Sequence, residues 1–111
     1  MEEFATVKLK GQEFNGLLDF KALSLIQHNM RKDYGTELNF SQIFVEIDKE
    51  NLSVILETTI VAIQRVHTQI KREHIESRIG LRDTLTLHNF IMELVEKSLP
   101  NAEMQEETTE E

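Results

Sequence analysis

The side chains that could carry chemistry are four histidines, a scatter of serines and threonines, and several carboxylates, because the chain contains no cysteine. His67 and His74 are seven residues apart, which places them two helical turns apart and too far from each other to share a metal ion without a third ligand. No serine lies in a glycine-rich nucleophile elbow, and the four glycines are scattered rather than gathered in a phosphate-binding loop. The sequence therefore predicts no enzyme activity, no metal site and no cofactor.

A locally basic segment spans residues 65–82, where five cations outnumber two carboxylates. With a turn at Gly80, residues 65–99 can be drawn as a helix-turn-helix of the kind that binds DNA. The second helix, however, carries three carboxylates against one lysine, and the net charge of the whole chain is −8. Phosphate contacts supply most of the non-specific affinity for DNA, so the charge opposes nucleic acid binding. A small DNA-binding regulator remains the alternative function.

A short apolar stripe is the best candidate for a binding surface. Asn39 and Gln42 have the spacing of a capping box, which predicts that a helix begins there. The apolar residues of that helix recur at helical spacing; they are Phe40, Ile43, Phe44 and Ile47. Such a stripe usually packs into the core of its own domain, but it could also form the wall of an apolar groove or a self-association patch. Both interpretations remain open from sequence.

The segment that must organise these residues is Asn51–Ile70, which is apolar on several faces when mapped onto a helix. Before it, alternation at Ala5, Val7 and Leu9 predicts a strand, and a turn at Gly11–Gln12 predicts a hairpin with a second strand over Phe14–Leu18. Two strands alone are marginally stable in water, so the hairpin must pack on helices.

The first helix is predicted from an N-cap at Asp19 to about Lys32, with Gly35 as its end. Its apolar stripe would contain Phe20, Leu23, Ile26 and Met30. After the central helix, a break in the polar stretch HTQIKREH, a segment over residues 69–78 and a last helix from Asp83 or Thr86 to Pro100 complete the prediction.

These elements predict a mainly α fold, a small helical domain of about five helices with an N-terminal β-hairpin. We expect residues 1–100 to form this single domain and residues 101–111 to form a disordered acidic tail. Five of the negative charges lie in that tail, which leaves −3 on residues 1–102. No apolar run is long enough to span a membrane and no signal peptide is recognisable, so we expect no membrane association and a cytoplasmic location.

The layout resembles the tail assembly chaperones of long-tailed bacteriophages of Gram-positive hosts. The resemblance covers residues 4–99 and rests on the strand and turn VKLKGQEF, on the helix entry LLDFKALSLIQ, on the further helical segments and on the acidic end. It is a resemblance of architecture, and it includes no catalytic signature.

The resemblance implies a non-enzymatic protein of the host cytoplasm that binds and solubilises the tape measure protein and helps to recruit tail tube subunits. It also implies self-association, so a homo-oligomer is a further expectation. Eight residues are candidate contacts for these partners; they are the stripe Phe40, Ile43, Phe44 and Ile47, and the cations Arg65, Lys71, Arg72 and Arg78.

Overall fold

The computed structural model describes residues 4–98 and begins with an antiparallel hairpin of β1 (Ala5–Leu9) and β2 (Gln12–Gly16). The turn consists of Lys10 and Gly11, which both have positive φ angles, 50° and 81°. Two-residue turns of this left-handed kind match the twist of the flanking strands. The predicted hairpin is confirmed, but the turn comes one residue earlier than expected, so the second strand begins at Gln12.

Five α-helices follow in the described part of the chain, which confirms the predicted mainly helical fold with an N-terminal hairpin. They are α1 (Phe20–Tyr34), α2 (Phe40–Asp48), α3 (Leu52–Val66), α4 (Arg72–Ser77) and α5 (Thr84–Ser98), and a 3₁₀ turn at Leu81–Asp83 leads into α5. The acidic tail predicted at residues 101–111 and the helix stop predicted at Pro100 lie outside the described residues.

Local capping residues set the helix boundaries where the sequence predicted them. The Asp19 carboxylate accepts a hydrogen bond from the backbone N–H of Ala22 at 2.8 Å, and α1 ends at Gly35 in the left-handed conformation. Asn39 and Gln42 form a reciprocal capping box at the start of α2, with both hydrogen bonds 2.8 Å long. Each cap satisfies backbone groups that the helix itself leaves without partners.

The central helix α3 contacts β2 and the other four helices, as its apolar surface requires. Val54, Ala62 and Ile63 are fully buried along it. It ends at Val66 rather than at Ile70, because the chain turns at His67 within the polar stretch where a break was predicted. The backbone N–H of Leu17 donates to the Ala62 carbonyl at 3.0 Å, which joins the end of the hairpin to α3.

The last helix closes the other side of the hairpin. The ring of Phe90 packs against Gly16 so closely that a Cβ atom added there would lie 2.5 Å from the ring carbon Cζ. At the end of the helix, the Ser98 hydroxyl donates to the Leu18 carbonyl at 2.6 Å. Among residues 4–98, no helix combines the length and the apolar character needed to cross a membrane.

Candidate interaction surface

Two phenylalanines form an exposed aromatic pair where α1 and α2 begin. The ring centroids of Phe20 and Phe40 are 6.0 Å apart, with the ring planes at 30°. The side chain of Phe20 is 76% exposed, whereas Phe40 is half-buried against the core. We define Phe20, Phe40 and the half-buried Phe44 as the aromatic surface.

The loop between α1 and α2 explains why residues twenty positions apart meet. The Gln27 side-chain amide donates to the Leu38 carbonyl at 2.8 Å, and this bond holds the chain after Gly35 against α1. Leu38 itself is buried. The chain therefore returns along α1, and α2 starts beside the start of α1.

The prediction that the Phe20 ring lies on the buried stripe of α1 is wrong, because this residue is exposed. The buried arc of that helix consists of Ala22, Leu23, Ile26 and Met30. At 100° per residue, Phe20 lies about 100° from the centre of this arc. As the first residue after the cap, it has no earlier helical turn to cover it.

The stripe predicted on α2 divides between core and surface. Ile43 is 0% exposed and Ile47 is 3% exposed, so these two candidate contacts belong to the core and cannot reach a partner in this conformation. Phe40 and Phe44 are half-buried and keep part of their rings at the surface. The two isoleucines therefore pack into the core of their own domain, and only the phenylalanines of this stripe remain candidates for a binding surface.

Arg65, one of the candidate cations, is committed to an internal ion pair. Its guanidinium donates to both carboxylate oxygens of Asp19, at 3.0 Å and 2.6 Å. This guanidinium holds the pKa of the Asp19 carboxyl below its ordinary value, with help from the backbone N–H of Ala22. The pair ties the end of α3 to the start of α1 and so supports the position of Phe20.

Arg72 is also committed to the fold. Its guanidinium forms a bidentate pair with Glu57, with bonds of 2.6 Å and 2.9 Å, and a further bond of 2.9 Å to Glu76. Glu57 is fully buried in α3 and also accepts a 2.7 Å bond from the Asn29 amide. The two carboxylates raise the pKa of Arg72 further above its ordinary value. This ion pair anchors α4 to the central helix.

The last two cations differ from each other. Arg78 donates to the backbone carbonyls of Leu9 and Lys10, at 3.4 Å and 3.1 Å, and so clamps the hairpin turn. Lys71 is exposed at the start of α4 and forms no salt bridge with any residue in the range 4–98. The structure therefore does not gather the four cations beside the aromatic surface.

The histidines at 67 and 74 pack on the hairpin. Both rings meet the ring of Phe14 edge-on, with centroids 5.9 Å and 6.3 Å away. His67 Nε2 accepts from the backbone N–H of Asn15 at 3.1 Å, which requires the tautomer with its proton on Nδ1. In the described residues, no three His, Asp or Glu side chains come together in a way that could hold a metal ion.

Two features of the molecule differ from the sequence-based predictions. Glu57 appears in the sequence as a polar interruption of the central helix, and its burial depends on Arg72, fifteen residues later, together with the Asn29 amide. The exposure of Phe20 had a weak signal, namely its position directly after the cap.

Comparison of the chain with models of known families, with curated proteins and with solved structures found no match in any of the three.

Proposed function

We propose that this protein is a non-enzymatic binding module whose aromatic surface receives the apolar face of a helical partner. The observation that carries the proposal is the exposed, stacked pair of Phe20 and Phe40. Phe20 is 76% exposed, so most of its apolar surface contacts water in the monomer. Burial of that surface in a complex therefore lowers the free energy of the complex. Both rings lie at the start of a capped helix, and the start of α1 is also held by the Asp19–Arg65 ion pair. This preorganisation lowers the entropic cost of binding.

We further propose, from the resemblance, that the module is a phage tail assembly chaperone acting in the host cytoplasm. Its partner would then be the tape measure protein, and recruitment of tail tube subunits would follow. An extended amphipathic helix without a bundle to enter exposes an apolar face that aggregates. A small domain with an exposed aromatic surface can cover part of such a face and keep the helix in solution.

The DNA-binding alternative has no specific observation in its favour. Three of the five cations between residues 65 and 82 donate to groups of the protein itself; they are Arg65, Arg72 and Arg78. Phosphate contacts need cations that are free to displace counterions, so this segment offers fewer than the sequence indicated.

The test is capture from cells that express the native gene cluster, using the wild type, Phe20→Glu and Leu52→Glu. Leu52 is a matched control, because it is also the exposed first residue of a capped helix. Removal of a phenyl ring that becomes buried in a complex should weaken binding by about 10- to 100-fold. The free energy of unfolding of both variants should lie within about 0.5 kcal/mol of the wild-type value, because surface changes of this kind are nearly neutral.

The expected result is that a long helical tail component copurifies with the wild type and with Leu52→Glu but is lost with Phe20→Glu. Equal capture by all three proteins would refute the aromatic surface as the binding site. Capture of DNA alone would refute the chaperone and favour the regulator.

A further inference from the structure

A second apolar surface lies on the outer side of the last helix and of the 3₁₀ turn that leads into it. Leu81 is 88% exposed, Leu85 is 68% exposed and Met92 is 42% exposed. Leu85 and Met92 are seven residues apart, which places them about 20° apart around the helix axis. The residues opposite, Leu87 and Leu94, are in the core. We call the outer side the α5 face.

Charges flank this face in a particular order. Arg82 lies just before its apolar centre and Glu96 lies just after it, and both are exposed. Neither side chain forms a salt bridge within residues 4–98. In chain order, the 3₁₀ turn contributes the cation, and α5 contributes the leucine, the methionine and the anion.

We propose that the α5 face binds the same face of a second copy of this chain, with the two helices antiparallel about a twofold axis beside Asn89. The axis then falls midway between Leu85 and Met92. Leu85 of each copy therefore contacts Met92 of the other copy. A closed dimer needs such a self-complementary patch, because in a twofold interface each residue faces the equivalent of its counterpart.

The charges select the antiparallel arrangement. About the same axis, Arg82 stands opposite Glu96 of the second copy, since the two residues lie nearly equally far from Asn89. The interface thus contains two oppositely charged pairs at its rim and four apolar side chains at its centre. A parallel pairing would instead place Arg82 beside the second copy's Arg82, and like charges in contact disfavour association.

A charge-reversal cycle tests this register by sedimentation of the purified full chain over a range of concentrations. Arg82→Glu and Glu96→Arg should each raise the dimer dissociation constant by about 3- to 30-fold, because each creates two like-charge contacts. The double variant should return to within about threefold of the wild type, since it restores both pairs in the opposite sense.

The apolar centre is tested separately with Leu85→Glu, which should raise the dissociation constant by at least about 30-fold. Leu52→Glu, an exposed leucine on another helix, should leave it unchanged. A monomeric wild type at all concentrations overturns the proposal, as does a Leu85→Glu protein that still dimerises. If the dissociation constant of the double variant is no lower than those of the single variants, the antiparallel register is overturned.

This inference does not depend on the proposed function. Phe20 lies on a different helix from the α5 face, so Phe20→Glu should leave dimerisation unchanged. If Phe20→Glu abolishes dimerisation while Leu85→Glu has no effect, the copies associate through the aromatic surface and the α5 face is refuted.

Discussion

Replacement of Arg72 by methionine decides whether this residue serves the fold or a partner. The substitution keeps much of the apolar stem of the side chain and removes the guanidinium. It leaves the fully buried carboxylate of Glu57 with only the Asn29 amide as a partner at 2.7 Å. Buried charges that lose their partner destabilise proteins strongly, because the remaining charge cannot be hydrated.

The expected magnitude follows from the two bonds that are lost. They are 2.6 Å and 2.9 Å long, and breaking a buried ion pair costs about 3–5 kcal/mol. Arg72 is 32% exposed and the Asn29 bond survives, so the lower end applies. We expect a loss of about 3 kcal/mol in the free energy of unfolding, and a Tm lower by about 12–24 °C for a domain of this size.

Urea unfolding at neutral pH measures the change, with Lys71→Met as the matched control. Lys71 is the exposed neighbour, and its replacement should change the free energy of unfolding by no more than about 0.5 kcal/mol. In a double-mutant cycle, Glu57→Gln together with Arg72→Met should cost less than the sum of the single changes. A loss below about 0.5 kcal/mol for Arg72→Met would show that the pair does not anchor α4, and that Arg72 is free for a partner after all.

Two further predictions concern the closest packing and the half-buried ion pair between Asp19 and Arg65. Gly16→Ala should lower the free energy of unfolding by about 1–3 kcal/mol, because the new Cβ would lie 2.5 Å from the Phe90 ring; Gly80→Ala, which has room, should be nearly neutral in the same urea titration. Asp19→Asn keeps the helix cap but loses the charge that pairs with Arg65. Because the folded pKa of Asp19 lies below its ordinary 3.8, the stability advantage of the wild type over this variant should be full above about pH 4 and shrink as the pH falls further. An advantage that persists unchanged at about pH 2 would contradict the ion pair.

The elements of this fold that could be predicted from sequence are those set by local signals. The cap at Asp19, the left-handed stop at Gly35 and the capping box at Asn39 each depend on residues within four positions of one another. Hydrophobic periodicity located the helices for the same reason. The hairpin turn was one residue off, because Lys10 takes a positive φ angle that its residue type does not favour.

The candidate site was less predictable, because it depends on contacts between distant parts of the chain. Whether Phe40 faces the core or the surface depends on where α1 lies, and Gln27 and Leu38 set that position across eleven residues. The role of Arg72 depends on Glu57, in a different helix. The periodicity of one helix contains no information about either partner.

Binding through the aromatic surface is tested most directly by isothermal titration calorimetry, which measures the affinity of the purified chain for the apolar helical segment of its captured partner. We expect Phe20→Glu to raise the Kd by about 10- to 100-fold with an unchanged circular dichroism spectrum, and Leu52→Glu to bind as the wild type does. The same Kd for Phe20→Glu and the wild type would contradict the claim that this protein binds through its aromatic surface.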